Sequence, residues 1–112
     1  MFLRLLILSL GLFSYGLLRA VDLSFTQDIR PLLSDACFHC HGPDSKAREG
    51  KLRLDDRASA IKAGILSNGE MIERLLSKDP EERMPPPDSK RVLRSQDRAK
   101  LVQWLKAGAE WP

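Results

Sequence analysis

Short helices joined by loops, with no sheet, are the fold class this sequence predicts. Three observations lead there. Apolar residues recur at three- and four-residue intervals over Phe25–Ala36 and again over Leu101–Leu105. No run alternates long enough to build a strand of a sheet. Between the two ends, Gly, Pro, Asp and Ser divide the chain into pieces too short for long helices.

The first twenty residues stand apart. Arg4 is followed by an apolar stretch from Leu5 to Leu18, and Ala20 offers a small residue for cleavage. That is the layout of a secretory signal peptide, residues 1–20, ahead of one small domain over 21–112. The alternative is an uncleaved N-terminal anchor, the only membrane contact the sequence suggests. The chain of 112 residues carries net charge +3. Without Arg4 and Arg19 the balance is 16 basic against 15 acidic side chains, net +1. Charges of both signs are interspersed, so nothing points to nucleic acid.

In the domain, Ser24, Thr26 and Asp28 are three candidate helix caps. With Asp28 as the cap, Pro31 falls in the first turn, where no amide hydrogen is needed. The helix then runs from about Ile29, with Leu32, Leu33 and Ala36 inward, into "DACFHCHGPD". A loop follows to Gly50. "KLRLDD" reads as a short extended segment with Leu52 and Leu54 inward. Asp55 or Asp56 caps a helix over "RASAIKAG" that Gly64 ends. Ser67 or Asn68 caps another, with Met71, Ile72, Leu75 and Leu76 on one side. "MPPP" is a stiff segment poor in backbone donors. Ser95 caps the last helix, with Leu101, Val102, Trp104 and Leu105 inward and Gly108 at its end. Phe25, Ile29, Leu101, Trp104 and Leu105 are expected to join the terminal helices. "KAREGK" and "KRVLR" read as solvated loops.

The chemistry concentrates in Cys37-Phe38-His39-Cys40-His41, which holds both cysteines and both histidines of the chain. Structural zinc needs four ligands, and no second pair exists. A thioredoxin-like redox pair follows a strand, whereas a helix runs into this motif. Cys-x-x-Cys-His is the attachment signature of haem c. Two thiols at this spacing reach two vinyl groups on one porphyrin edge, and the following histidine binds iron. A domain of about 92 residues has a small core and gains from a covalently held cofactor. The candidate cofactor-binding residues are therefore Cys37, Cys40 and His41, with His41 the proximal iron ligand. Met84, held in an extended geometry before Pro85, is the candidate second ligand. Met71 lies on the apolar side of a helix and reads as packing, and His39 is tied into the attachment loop.

"FTQDIRPLLSDACFHCHGPD", "GKLRLDDRASAIKAG", "RMPPPDSKRVL" and "LVQWLKAGAEWP" together resemble the planctomycete-type cytochrome c domain. The resemblance spans about Phe25 to Trp111. It implies an all-α, small cytochrome c-like fold of short helices and loops wrapped around one haem c. Cys37 and Cys40 match the thioether positions, His41 the proximal ligand and Met84 the methionine opening the "MPP" loop. "GILSNGEM" departs from the family's usual Gly-Lys-Pro-like turn. In the family the module usually begins a longer secreted protein.

The expected function is electron transfer by a periplasmic or secreted protein, with redox proteins as partners and no catalytic residues of its own. Two alternatives remain: a haem with an open distal site for peroxide or a small gas, and a redox module of a larger enzyme.

Overall fold

The computed structural model describes residues 23–112; the predicted signal segment lies outside them. The described residues are helical and contain no strand. Helix α1 (Arg30–Ala36) is entered through a wide π-helical turn, Phe25–Ile29. Helices α2 (Arg57–Ala63) and α3 (Glu70–Leu76) follow, then a 3-10 turn at Pro87–Ser89 and α4 (Ser95–Lys106). Ser95, expected as the cap of α4, is its first residue; Arg94 holds the cap position with no side-chain bond.

The first helix starts earlier than expected, because Ser24 and not Asp28 is the cap. Ser24 Oγ accepts from Gln27 N–H at 3.3 Å, and Asp28 Oδ2 reaches back to Ser24 N–H at 2.8 Å. This is a capping box with the returning acid one residue late. Pro31 does fall in the first turn of α1. Its ring occupies space needed by a normal i−4 carbonyl. The wide turn just before it, where Arg30 N–H bonds Phe25 O, accommodates that demand.

The middle helices follow their punctuation. Asp56 caps α2 by accepting Ser59 N–H at 3.0 Å, and Gly64 ends it at φ 75°, in the left-handed region glycine favours. Asn68 Oδ1 accepts Glu70 N–H at 2.9 Å, so its side chain serves the start of α3, although Gly69 holds the N-cap position itself. Met71 and Leu75 are buried; Leu76, expected beside them, is 56% exposed. At the end of α4, Ala109 N–H bonds Trp104 O and Gly108 N–H bonds Leu105 O. That is a Schellman closure with Gly108 at positive φ.

The core gathers one side of every helix: Ile29, Leu33, Leu54, Ala60, Met71, Leu75, Leu101, Val102, Trp104 and Leu105. Helix α4 packs on both the opening turn and α3. Phe25 lies 5.8 Å from Trp104 and 5.2 Å from Trp111 between ring centroids, so three aromatics join the first described turn to the last helix and the segment after it. Trp104 Nε1 donates to Glu110 O at 2.8 Å, satisfying its buried polar edge. With the opening turn and α4 fixed to each other, the Cys-rich turn, the "KLRLDD" segment, α3 and the proline loop are left to surround one cavity.

Candidate functional site

The cysteine motif continues α1 as a tight turn. Cys37 N–H and Phe38 N–H both bond Leu33 O, and Cys40 N–H and His41 N–H both bond Cys37 O. In a helical turn, residues i, i+3 and i+4 share a face. Cys37, Cys40 and His41 therefore line one wall of a cavity of about 630 Å³. That volume is in the roughly 300–1,000 Å³ range of small-molecule and cofactor sites. His39 also borders the cavity, but its side chain is exposed.

The turn is held from behind by two further strands of contact. Glu49 N–H donates to Cys40 O at 2.7 Å, and Leu54 N–H donates to His41 O at 2.7 Å. The extended "KLRLDD" segment thus fixes the motif as well as filling the core through Leu54. Arg48, expected in a solvated loop, instead donates from Nε to Gly42 O at 3.1 Å and from Nη2 to Pro43 O at 3.3 Å. Gly42 is buried, and a Cβ there would meet Phe38 O at 2.0 Å. Only glycine lets the chain leave His41 this close to the start of the motif. The sequence marked Gly42 merely as loop; its position directly after His41 was the available signal.

His41 is half-buried, and its Nδ1 lies 3.1 Å from Glu49 O. A carbonyl only accepts, so Nδ1 carries the hydrogen and Nε2 keeps its lone pair. Burial is the main cause that holds the ring below its ordinary pKa, so it stays neutral. Neutral imidazole with its other nitrogen bonded to a backbone carbonyl is the form that ligates a metal.

Burial first, and Cys40 second, push the Cys37 thiol up to about 12. Reactive redox cysteines have depressed values. No three His, Cys, Asp or Glu side chains converge on a metal ion anywhere among the described residues. Two thiols, one neutral imidazole and a largely apolar cavity are the donor set and the setting of a covalently attached haem, and the residues fit that group.

Both Met84 and Met71 line the cavity. Met71 is 8% exposed and belongs to the core of α3, as expected of a packing residue. Met84 is half-buried on the proline loop, with its N–H on Arg74 O at 3.0 Å and its carbonyl accepting from Arg98 Nη1 at 3.0 Å. Trp104 does not line the cavity, in keeping with its packing role. Lys51, Arg74 and Arg91 add cations to the wall, opposed by Glu49, Glu70 and Asp88. No described helix is long and apolar enough to cross a membrane.

Residues 37–88 match the family model described as Planctomycete cytochrome C. No curated protein and no solved structure matches the chain. The matched stretch opens on Cys37 and closes just after the "MPPP" loop, so it takes in all of the cavity lining except Ala36, Ser89 and Arg91. Cytochrome c domains carry haem, serve electron transfer and in this type typically lie outside the cytoplasm. Over Cys37 to Asp88 the chain is thus similar to planctomycete cytochrome C.

Proposed function

We propose that the protein is a monohaem electron carrier, with haem c bound through Cys37 and Cys40 and its iron held between His41 and Met84. The observation that carries this reading is that all four side chains border one cavity while His41 Nδ1 is already committed to Glu49 O. Haem, when bound, supplies a one-electron ferrous/ferric couple, and histidine–methionine ligation raises its potential.

The remaining work falls to the chain. The turn over residues 37–41 sets the two thiols and the imidazole on one face. Glu49 O holds the hydrogen on His41 Nδ1, which leaves the Nε2 lone pair free, and fixes the ring's orientation. Leu52, Leu54, Ile65 and Leu75 exclude water from the cavity, which limits how much solvent must reorganise when charge changes. Lys51, Arg74 and Arg91 are the cations available to the two haem carboxylates. Residues 1–20 export the chain to the periplasm or beyond, where a redox protein docks and exchanges the electron.

Spectroscopy of the haem-loaded protein tests the ligand assignment. The ferric form should show the weak near-infrared band of methionine–iron ligation. Met84→Ala should remove it and Met71→Ala should keep it. Met84→His should keep a low-spin haem at a lower potential, because imidazole favours ferric iron more than a thioether does. Loss of the band in Met71→Ala with retention in Met84→Ala would reverse the assignment. Absence of the band from the wild type would favour an open distal site.

A further inference from the structure

Met84 sits on an irregular segment, and a neutral thioether is a weak ligand whose position depends on its backbone. That backbone is gripped at both ends. Its N–H donates to Arg74 O, and its carbonyl accepts from Arg98 Nη1 at 3.0 Å. The same Arg98 nitrogen donates to Leu75 O. Leu75 O lies in the last turn of α3 and has no acceptor role inside that helix. One guanidinium on α4 therefore ties the end of α3 to the methionine loop.

Nothing else in the surroundings explains this arginine. Arg98 forms no ion pair among the described residues. The neighbouring carboxylate, Asp97, is taken by Arg94 at 2.9 Å. Arg98 is half-buried, and it spends its hydrogen bonds on carbonyl oxygens. Hydrogen bonds from a charged donor are stronger than neutral ones. Two of them from one rigid fork restrict both the loop and the helix end.

We propose that Arg98 is a positioning residue for the distal ligand: it fixes the Met84 backbone so that the sulfur stays on the cavity and resists displacement. The proposal rests on the reading of Met84 as the iron ligand. Arg98 does not itself line the cavity; its effect passes through the Met84 carbonyl.

The test uses the haem-loaded full chain and the rate at which cyanide binds the ferric form, alongside the near-infrared band and Tm. Three variants are compared with wild type: Arg98→Leu, Arg98→Lys, and Leu101→Ala as a core lesion on the same helix. Arg98→Leu should bind cyanide about tenfold faster or more, the factor that corresponds to losing one charged hydrogen bond. Its near-infrared band should weaken. Arg98→Lys should fall between, because the shorter side chain carries its ammonium less far toward the two carbonyls and lacks the planar guanidinium. Leu101→Ala should lower Tm yet leave the cyanide rate near wild type. If Arg98→Leu fails to fold, Arg98→Lys carries the comparison. Unchanged rates in the Arg98 variants overturn the proposal, as does equal acceleration in Leu101→Ala. A wild type with no near-infrared band and with Met84→Ala-like cyanide binding defeats the ligand reading itself, and the proposal with it.

Discussion

Replacing Gly42 by alanine is the sharpest perturbation the structure offers. The added Cβ would lie 2.0 Å from Phe38 O and 2.9 Å from Phe38 C. Both are backbone atoms, so no side chain can swing away. Relief requires the chain after His41 to move by more than 1 Å relative to the start of the motif, given that carbon and oxygen rarely approach closer than about 3 Å. That chain also carries Gly42 O, which Arg48 holds at 3.1 Å, and His41 O, which accepts Leu54 N–H. Overpacking of this kind costs about 1–3 kcal/mol. For a domain of this size, about 2 kcal/mol corresponds to a Tm loss of roughly 8–16 °C. His41 would shift against Cys37 and Cys40, so haem attachment should fall as well. The assay is a melting curve of the haem-loaded protein beside the haem yield per chain, with Gly50→Ala as the control. A Cβ at Gly50 meets nothing within 4 Å, although its φ of 60° makes some loss of stability expected there too. A Gly42→Ala protein with wild-type Tm and full haem yield would refute the close-approach argument.

Other expectations follow from the same contacts. Cys37→Ala with Cys40→Ala should leave a chain of low helix content by circular dichroism, because a domain this small needs the cofactor's buried surface. Native helicity without haem would contradict that. Met71→Ala should cost about 2–5 kcal/mol in denaturant titration, as for other buried methionines, while the iron spectrum is kept. Acid should weaken the fold through Asp55 and Asp56. Hydrogen bonds from Arg53 lower the Asp55 carboxyl below its ordinary 3.8, and those from Ser59 lower Asp56. Each contributes stability above that ordinary value, lost as pH falls from about 4 through the lowered folded value. Asp55→Asn with Asp56→Asn should therefore flatten the stability profile below pH 5; an unchanged acid limb would show that neither pair contributes.

Features decided within a few residues could be read directly from the chain. Asp56 and Gly64 bound α2 because a cap and a left-handed stop act locally. Cys37, Cys40 and His41 could be placed on one face because their spacing is itself that of a helical turn. Errors arose where distant parts decide. Ser24 won over Asp28 because Pro31 demanded a wide turn ahead of it, and three plausible caps could not be ranked without that geometry. Leu76 sits at helical spacing with Leu75, but α3 is too short and too near the surface to bury both. Arg48 and Arg98 look like ordinary surface cations in sequence. Their partners, Gly42 O, Pro43 O, Leu75 O and Met84 O, are backbone carbonyls that no side-chain pattern announces. Trp111 joined the aromatic contact between the ends for the same reason: only the turn after Gly108 brings it back onto Phe25.

The central claim is that Cys37 and Cys40 hold one haem by two thioether bonds. A pyridine haemochrome spectrum of the full chain, made with a haem-attachment system and extracted with acidified organic solvent, tests it most directly. One haem per chain is expected, resistant to extraction, with the band position of a porphyrin whose two vinyl groups are both saturated. Extractable haem, or none, would contradict it.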